Sequence, residues 1–163
     1  DYDERYVFSN IGYNLRMTDI AASLGIEQLK KLDGLNEVRA QIADRYSKGL
    51  EKFSDVLQLP HTEPEDFHSY YGFPILIKEG ARFTRKEIVN VLEKEGIETR
   101  AFMGGDLSLQ PAYRNTACRV AGDMPNTDRM RDDTFFIGCH PFITDDQVEK
   151  VIKVFEEFIE ARQ

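Results

Sequence analysis

Basic clusters, closely spaced cysteines and long apolar runs are all scarce in this sequence, and each absence closes a class of function. Asp and Glu number 29 against 21 Lys and Arg, a formal charge of −8. Without a block of basic side chains the chain lacks the electrostatic footprint that holds a phosphate backbone, so a nucleic-acid partner is not expected. One or two placed donors still suffice for a small phosphorylated ligand. Only Cys118 and Cys139 carry thiols. Lacking Cys-x-x-Cys spacing, they read as reduced side chains of a cytoplasmic protein. No apolar run approaches membrane-spanning length and no signal peptide is recognisable, so no membrane partner is expected. The three histidines, His61, His68 and His140, share no ligand-like spacing with the cysteines, and no metal site is expected. A Ser-His-Asp order, a nucleophile elbow and a glycine-rich phosphate loop are missing as well.

What is present suits a folded domain. The chain has 163 residues, 41% apolar and 31% charged, enough for one domain, or a small domain with an extension, to bury a core without staples. It begins with Asp1 rather than Met, which leaves a cut piece, a processed product or the C-terminal part of something longer open.

The segment TDIAASLGIEQLKK, residues 18–31, reads as a helix capped by Thr18, with Asp19 suited to the positive end of the helix dipole. Its apolar residues cover more than one face, which suggests packing on two sides. Leu35, Val38, Ile42, Tyr46, Leu50 and Phe53 recur at spacings of three and four and predict a second helix over 35–53. A strand is expected at 56–60, and another within SYYGFPILIKE. FTRKEIVNVLEKEGI predicts a helix with a Thr84–Glu87 capping box and a stop at Gly96. Residues 97–102 return as a strand, 103–126 read mostly as loop, 127–133 as a short helix capped by Thr127, and TFFIGC as a strand. The last helix starts from a Thr144–Gln147 capping box, with Val148, Ile152, Phe155 and Ile159 as its apolar stripe. This order predicts an α+β layer, a small sheet with helices on one face.

Two stretches carry more polar character than their local structure requires. Gly12, Tyr13, Asn14 and Arg16 crowd ahead of the first helix, and RAFMGGDLSLQPAYR, residues 100–114, is a long loop of the kind that often serves function. Taken alone, Asn14, Arg16 and Arg100 read equally as capping, solvated or ion-paired residues.

The run IGYNLRMTDIAASLGIEQLKKLD resembles the DegT/DnrJ/EryC1/StrS family of vitamin B6-dependent sugar aminotransferases and dehydratases through Gly12, Tyr13, Asn14, Arg16, Met17, Thr18, Asp19, Gln28 and Leu29. YYGFPILI, GIETRAFMGGDLSLQPAY and GDMPNTDRMRDDTFFIGCHPFITDDQ are similar to the C-terminal half of its CDP-4-keto-6-deoxy-glucose 3-dehydratase branch, although GGDLSLQ and CHPFIT depart from that branch's pattern. The resemblance implies the small C-terminal domain of the aspartate-aminotransferase fold (fold type I). Residues 1–53 would then supply an interface segment and linking helices, and 54–163 the α+β domain. The N-terminal cofactor domain would be absent, so this chain alone would be inactive, with no catalytic residue of its own.

By the same resemblance the parent is a PLP/PMP-dependent enzyme that removes the 3-hydroxyl of a nucleotide-linked 4-keto-6-deoxy sugar for surface polysaccharide. The alternatives are a sugar aminotransferase and a non-catalytic interaction domain. Asn14 and Arg16 would reach the cofactor phosphate across a homodimer, and Arg100 and Tyr113 would lie near the sugar nucleotide. A partner reductase, and an iron–sulfur cluster bound outside these residues, are further implications.

Overall fold

The computed structural model describes residues 12–13, 15–103, 106–113, 115–117 and 119–162, and the chain divides into two units, Asp1–Gly34 and Leu35–Gln163. In the first unit, helix α1 (Asp19–Leu29) starts where expected. The Thr18 hydroxyl accepts from the Ala21 N–H at 3.3 Å and satisfies one of the free donors of the first turn. None of its residues is buried, including Ile20, Leu24, Ile26 and Leu29.

The second unit is a four-stranded antiparallel sheet with helices against its inner face. Helix α2 (Leu32–Leu50) continues into a single 3₁₀ turn, Glu51–Phe53. Ile42, Ala43, Tyr46, Leu50 and Phe53, read from the sequence as part of a link, belong to this unit's core. Strands β1 (Leu57–Gln58), β2 (Gly72–Ile77), β3 (Thr99–Ala101) and β4 (Thr134–Gly138) lie in the order β1-β2-β4-β3. β4 is antiparallel to both β2 and β3, so those two run the same way with β4 between them. Helix α3 (Arg85–Lys94) connects β2 to β3, α4 (Pro125–Asp133) leads straight into β4, and α5 (Asp145–Glu160) closes the chain.

The period of two decides which face is buried. Along β2, Phe73, Ile75 and Ile77 point inward, and Gly72, Pro74 and Leu76 alternate with them. Along β4 the inward residues are Phe135 and Ile137. They meet Ile88 and Leu92 of α3 and Val148, Val151, Phe155 and Ile159 of α5 in one cluster with the α2 residues.

Both capping boxes form. Thr84 and Glu87 exchange bonds of 2.7 and 3.4 Å, and Thr144 and Gln147 bonds of 2.9 and 3.3 Å. Gly96, at φ +76°, supplies the left-handed residue after α3.

Two expectations need correction. Helix α4 begins at Pro125, preceded by Met124 with no side-chain cap, so Thr127 lies inside the helix rather than at its start. Proline's fixed φ and missing N–H suit that first position. The strand expected at 56–60 is only two residues long. The described residues between β3 and α4 are mostly loop, with 3₁₀ turns at Leu107–Leu109 and Pro111–Tyr113, the first capped by the Asp106 side chain on Ser108 N–H at 2.8 Å. Among the described residues no helix is long and apolar enough to cross a membrane, and no three His, Cys, Asp or Glu side chains converge on a point.

Candidate functional site

The face of the sheet turned away from the core carries an aromatic shelf made possible by a glycine. Pro74, Phe136 and Arg100 lie side by side across β2, β4 and β3, and Gly72 pairs with Gly138 next to them. A Cβ on Gly72 would sit 2.4 Å from Cδ2 of Phe136. Glycine therefore leaves the space in which the Phe136 ring lies over β2. Tyr71 meets that ring edge-on, with centroids 5.9 Å apart and planes at 67°, a favoured aromatic geometry. Even so, Tyr71 stays 77% exposed.

A strained residue aims Tyr71 outward. Tyr70, one position earlier, has φ +44°, a left-handed conformation that costs a bulky residue of order 1–3 kcal/mol unless its surroundings hold it. Here they do. The Tyr70 N–H donates to His68 Nδ1 at 2.9 Å, its carbonyl accepts from Arg39 Nη1 at 3.2 Å, and its hydroxyl pairs with the Thr62 hydroxyl at 3.0 Å.

Arg39 is the tie between helix and sheet. The same Nη1 donates to the Cys139 carbonyl at 3.1 Å, just past the end of β4, so one guanidinium nitrogen grips the start of β2 and the end of β4. The Cys139 thiol in turn donates to the Arg39 carbonyl at 3.1 Å. Burial pushes that thiol up to about 11 from 9.0, outweighing the lowering effect of the nearby Arg39 charge. It therefore stays protonated at neutral pH, as a donor requires.

These residues line a cleft of about 230 Å³ bounded by Arg39, Tyr71, Arg100, Phe136, Cys139 and His140, with Glu98 on its rim. Arg100 and Glu98 pair at 2.5 Å with side chains 70% and 71% exposed, a contact that solvent screens to well under about 1 kcal/mol. His140 stands against Phe142, with ring centroids 5.0 Å apart. Two guanidinium groups and an imidazole beside exposed π surface, in a chain of net charge −8, make a local surface suited to an anionic ligand with a flat ring. A second cleft of about 300 Å³ lies on the helix side, between Gly96–Glu98 and α5. There Lys150 is already committed to the Glu95 carbonyl at 2.5 Å.

Of the residues assigned a site role from the sequence, only Arg100 falls in the first cleft, where Cys139 and His140, given no such role, also lie. Tyr113 ends the second 3₁₀ turn, exposed, and is not among the residues that line it. Arg16 belongs to the other unit, where it is exposed. Asn14 and Cys118 lie outside the described residues. Sequence reading missed Arg39, Tyr71, Gly72, Phe136 and His140. The alternation in GFPILI already placed Gly72 on the face opposite Phe73, but the pairing that brings Phe136 over it spans more than sixty positions of sequence.

Residues 1–156 match the DegT/DnrJ/EryC1/StrS aminotransferase family. This chain belongs to that family. Members of the family include PLP-dependent nucleotide-sugar 3-dehydratases and aminotransferases of polysaccharide biosynthesis. The chain is 37% identical over 157 residues to the lipopolysaccharide biosynthesis protein RfbH of Salmonella typhimurium, covering 96% of this chain and 36% of that protein. It is 37% identical over 158 residues to the dTDP-4-dehydro-2,6-dideoxy-D-glucose 3-dehydratase of Saccharopolyspora spinosa, covering 97% of this chain and 34% of that enzyme. The chain thus spans about a third of the length of these curated relatives. Among solved structures, the E. coli GDP-4-keto-6-deoxy-D-mannose-3-dehydratase with bound hydrated PLP superposes with a TM-score of 0.80 at 27% identity, covering 93% of this chain and 39% of that one. The α+β architecture is therefore that of the family's PLP aminotransferase fold.

Proposed function

We propose that this chain is the C-terminal part of a PLP/PMP-dependent nucleotide-sugar enzyme, a 4-keto-6-deoxy-sugar 3-dehydratase serving surface polysaccharide. The observation that carries the reading is the position of Arg100. It stands in register with Phe136 on the rim of a cationic, aromatic cleft, in a chain whose relatives include enzymes named as 3-dehydratases. Arg100 binds the negative charge of the sugar nucleotide, as a guanidinium does through paired N–H donors.

The donors of this chain fit the anionic end of the cofactor. The covalent or proton-handling contact to the cofactor is supplied by a domain outside these residues. Arg16 offers an exposed guanidinium, the chemistry a phosphate takes, and with Asn14 it holds that phosphate across a homodimer. When bound, the cofactor supplies an electron sink for loss of the 3-hydroxyl. Arg100 and, from its exposed turn, Tyr113 orient the substrate. The enzyme works in the cytoplasm, and a reductase acts with it.

The test uses the full-length protein, loaded with PMP and given nucleotide-linked 4-keto-6-deoxy sugars. A released sugar that lacks the 3-oxygen is expected, with one PMP converted to PLP and ammonia for each sugar, and KM is raised about tenfold by Arg100→Ala. A product that keeps the 3-hydroxyl and gains an amine identifies an aminotransferase instead. No conversion of any such sugar leaves a non-catalytic interaction domain.

A further inference from the structure

We infer that the Tyr71–Phe136 shelf is the stacking surface for the nucleobase of the bound nucleotide, with Arg100 and His140 beside it for the phosphates. The inference rests on the nucleotide-sugar reading and adds to it the part of the ligand that this cleft takes. Four observations carry it.

Tyr71 is a large aromatic side chain left 77% exposed, yet held in place by its edge contact with Phe136 and by the bonds that fix Tyr70 behind it. An ordered ring facing solvent beside a cleft offers π surface at little entropic cost, and base stacking on such rings is tolerant of base identity. Gly72 faces Gly138 across the β2–β4 ladder, so no side chain of this pair competes with the Phe136 ring, which lies over Gly72. Glycine at position 72 is what allows the Phe136 ring its place, because a Cβ there would come within 2.4 Å of it. Finally, the cleft's charged rim is cationic at Arg39 and Arg100, with its one carboxylate, Glu98, drawn to Arg100 at 2.5 Å. A sugar ring, bristling with hydroxyls, would find few hydrogen-bonding partners on this shelf. A flat aromatic ring joined to phosphate matches both halves. Nucleotides and pyridoxal phosphate share that chemistry, and the experiment separates them.

The full-length protein is titrated calorimetrically with CMP, GMP, dTMP and ribose 5-phosphate, and its retention of pyridoxal phosphate is followed by absorbance, for wild type, Tyr71→Ala and Tyr71→Phe. Tyr71→Ala is expected to weaken the mononucleotides about tenfold while leaving ribose 5-phosphate and pyridoxal phosphate as in wild type. Tyr71→Phe, which keeps the ring, binds mononucleotides within about twofold of wild type. Equal weakening of ribose 5-phosphate, loss of pyridoxal phosphate in place of nucleotide, or unchanged mononucleotide binding each overturns the inference. Turnover separates it from the broader reading. A wild-type protein that converts a nucleotide-linked keto sugar but binds mononucleotides independently of Tyr71 sinks the shelf alone. Tyr71-dependent binding without any turnover sinks the enzymatic reading alone.

Discussion

Arg39 and Cys139 hold each other by both ends: the guanidinium donates to the cysteine carbonyl, and the thiol donates back to the arginine carbonyl, each at 3.1 Å. This reciprocal pair, one hundred positions apart in sequence, fastens α2 to the end of β4 and, through Tyr70, to the start of β2. Removing the guanidinium leaves two part-buried carbonyls without their charged donor. Arg39→Ala is expected to cost about 2–3 kcal/mol in denaturant unfolding. Arg39→Lys should recover part of that, since both bonds come from one nitrogen and an ammonium also carries several donors. A loss below about 0.5 kcal/mol for Arg39→Ala would show that the tie is ornamental.

Alkaline pH should loosen the same junction. Burial raises the Cys139 thiol to about 11 and the Tyr46 hydroxyl to about 12. Because both groups hold their protons more tightly folded than unfolded, the folded state binds more protons above the ordinary thiol range. Stability is therefore full below about pH 9 and falls as pH climbs from there through 11 and 12. Unfolding midpoints measured from pH 7 to 11.5 check the slope, and Cys139→Ser should shift the onset upward.

Gly72→Ala tests the space reserved for Phe136. The new methyl would fall 2.4 Å from Cδ2 and 3.0 Å from Cε2 of that ring, forcing the ring aside or the strands apart. Overpacking of this kind typically costs about 1–3 kcal/mol. The double variant Gly72→Ala/Phe136→Leu should regain much of the loss, because the clash partner is then smaller. An additive double variant would refute the coupling.

Thr144→Ala removes the start signal of α5, the helix that supplies Val148, Val151, Phe155 and Ile159 to the core. The loss of one side of the capping box should cost about 1 kcal/mol, read from thermal or urea unfolding. Thr144→Ser should stay near wild type.

Local signals were legible in the sequence, and long-range pairings were not. Thr18, Thr84 and Thr144 announced three helices because a hydroxyl two or three residues ahead of a free N–H is a local arrangement. The β character of SYYGFPILIKE was legible from its aromatic and β-branched residues, and β2 forms within it. Thr127 misled because Pro125, two residues earlier, already satisfies the first-turn requirement by having no N–H to satisfy. Of the cleft, Arg100 was visible through family likeness, whereas Phe136 was read only as part of the strand TFFIGC. Nothing short-range says that its neighbours Phe135 and Ile137 face the helices while it faces Gly72. The Arg39 tie depends on a helix, a strand start and a strand end meeting at one nitrogen, which no local pattern encodes.

The strand order has a consequence for how the domain comes into being. β2 and β3 are not paired with each other; each pairs with β4, the last of these four strands in sequence. During synthesis, everything up to Asp133 must wait with an open gap down the middle of its sheet. Only when Thr134–Gly138 slots in do both halves close at once, so a nascent or truncated polypeptide ending before that point exposes two hungry strand edges and is the form most prone to clump.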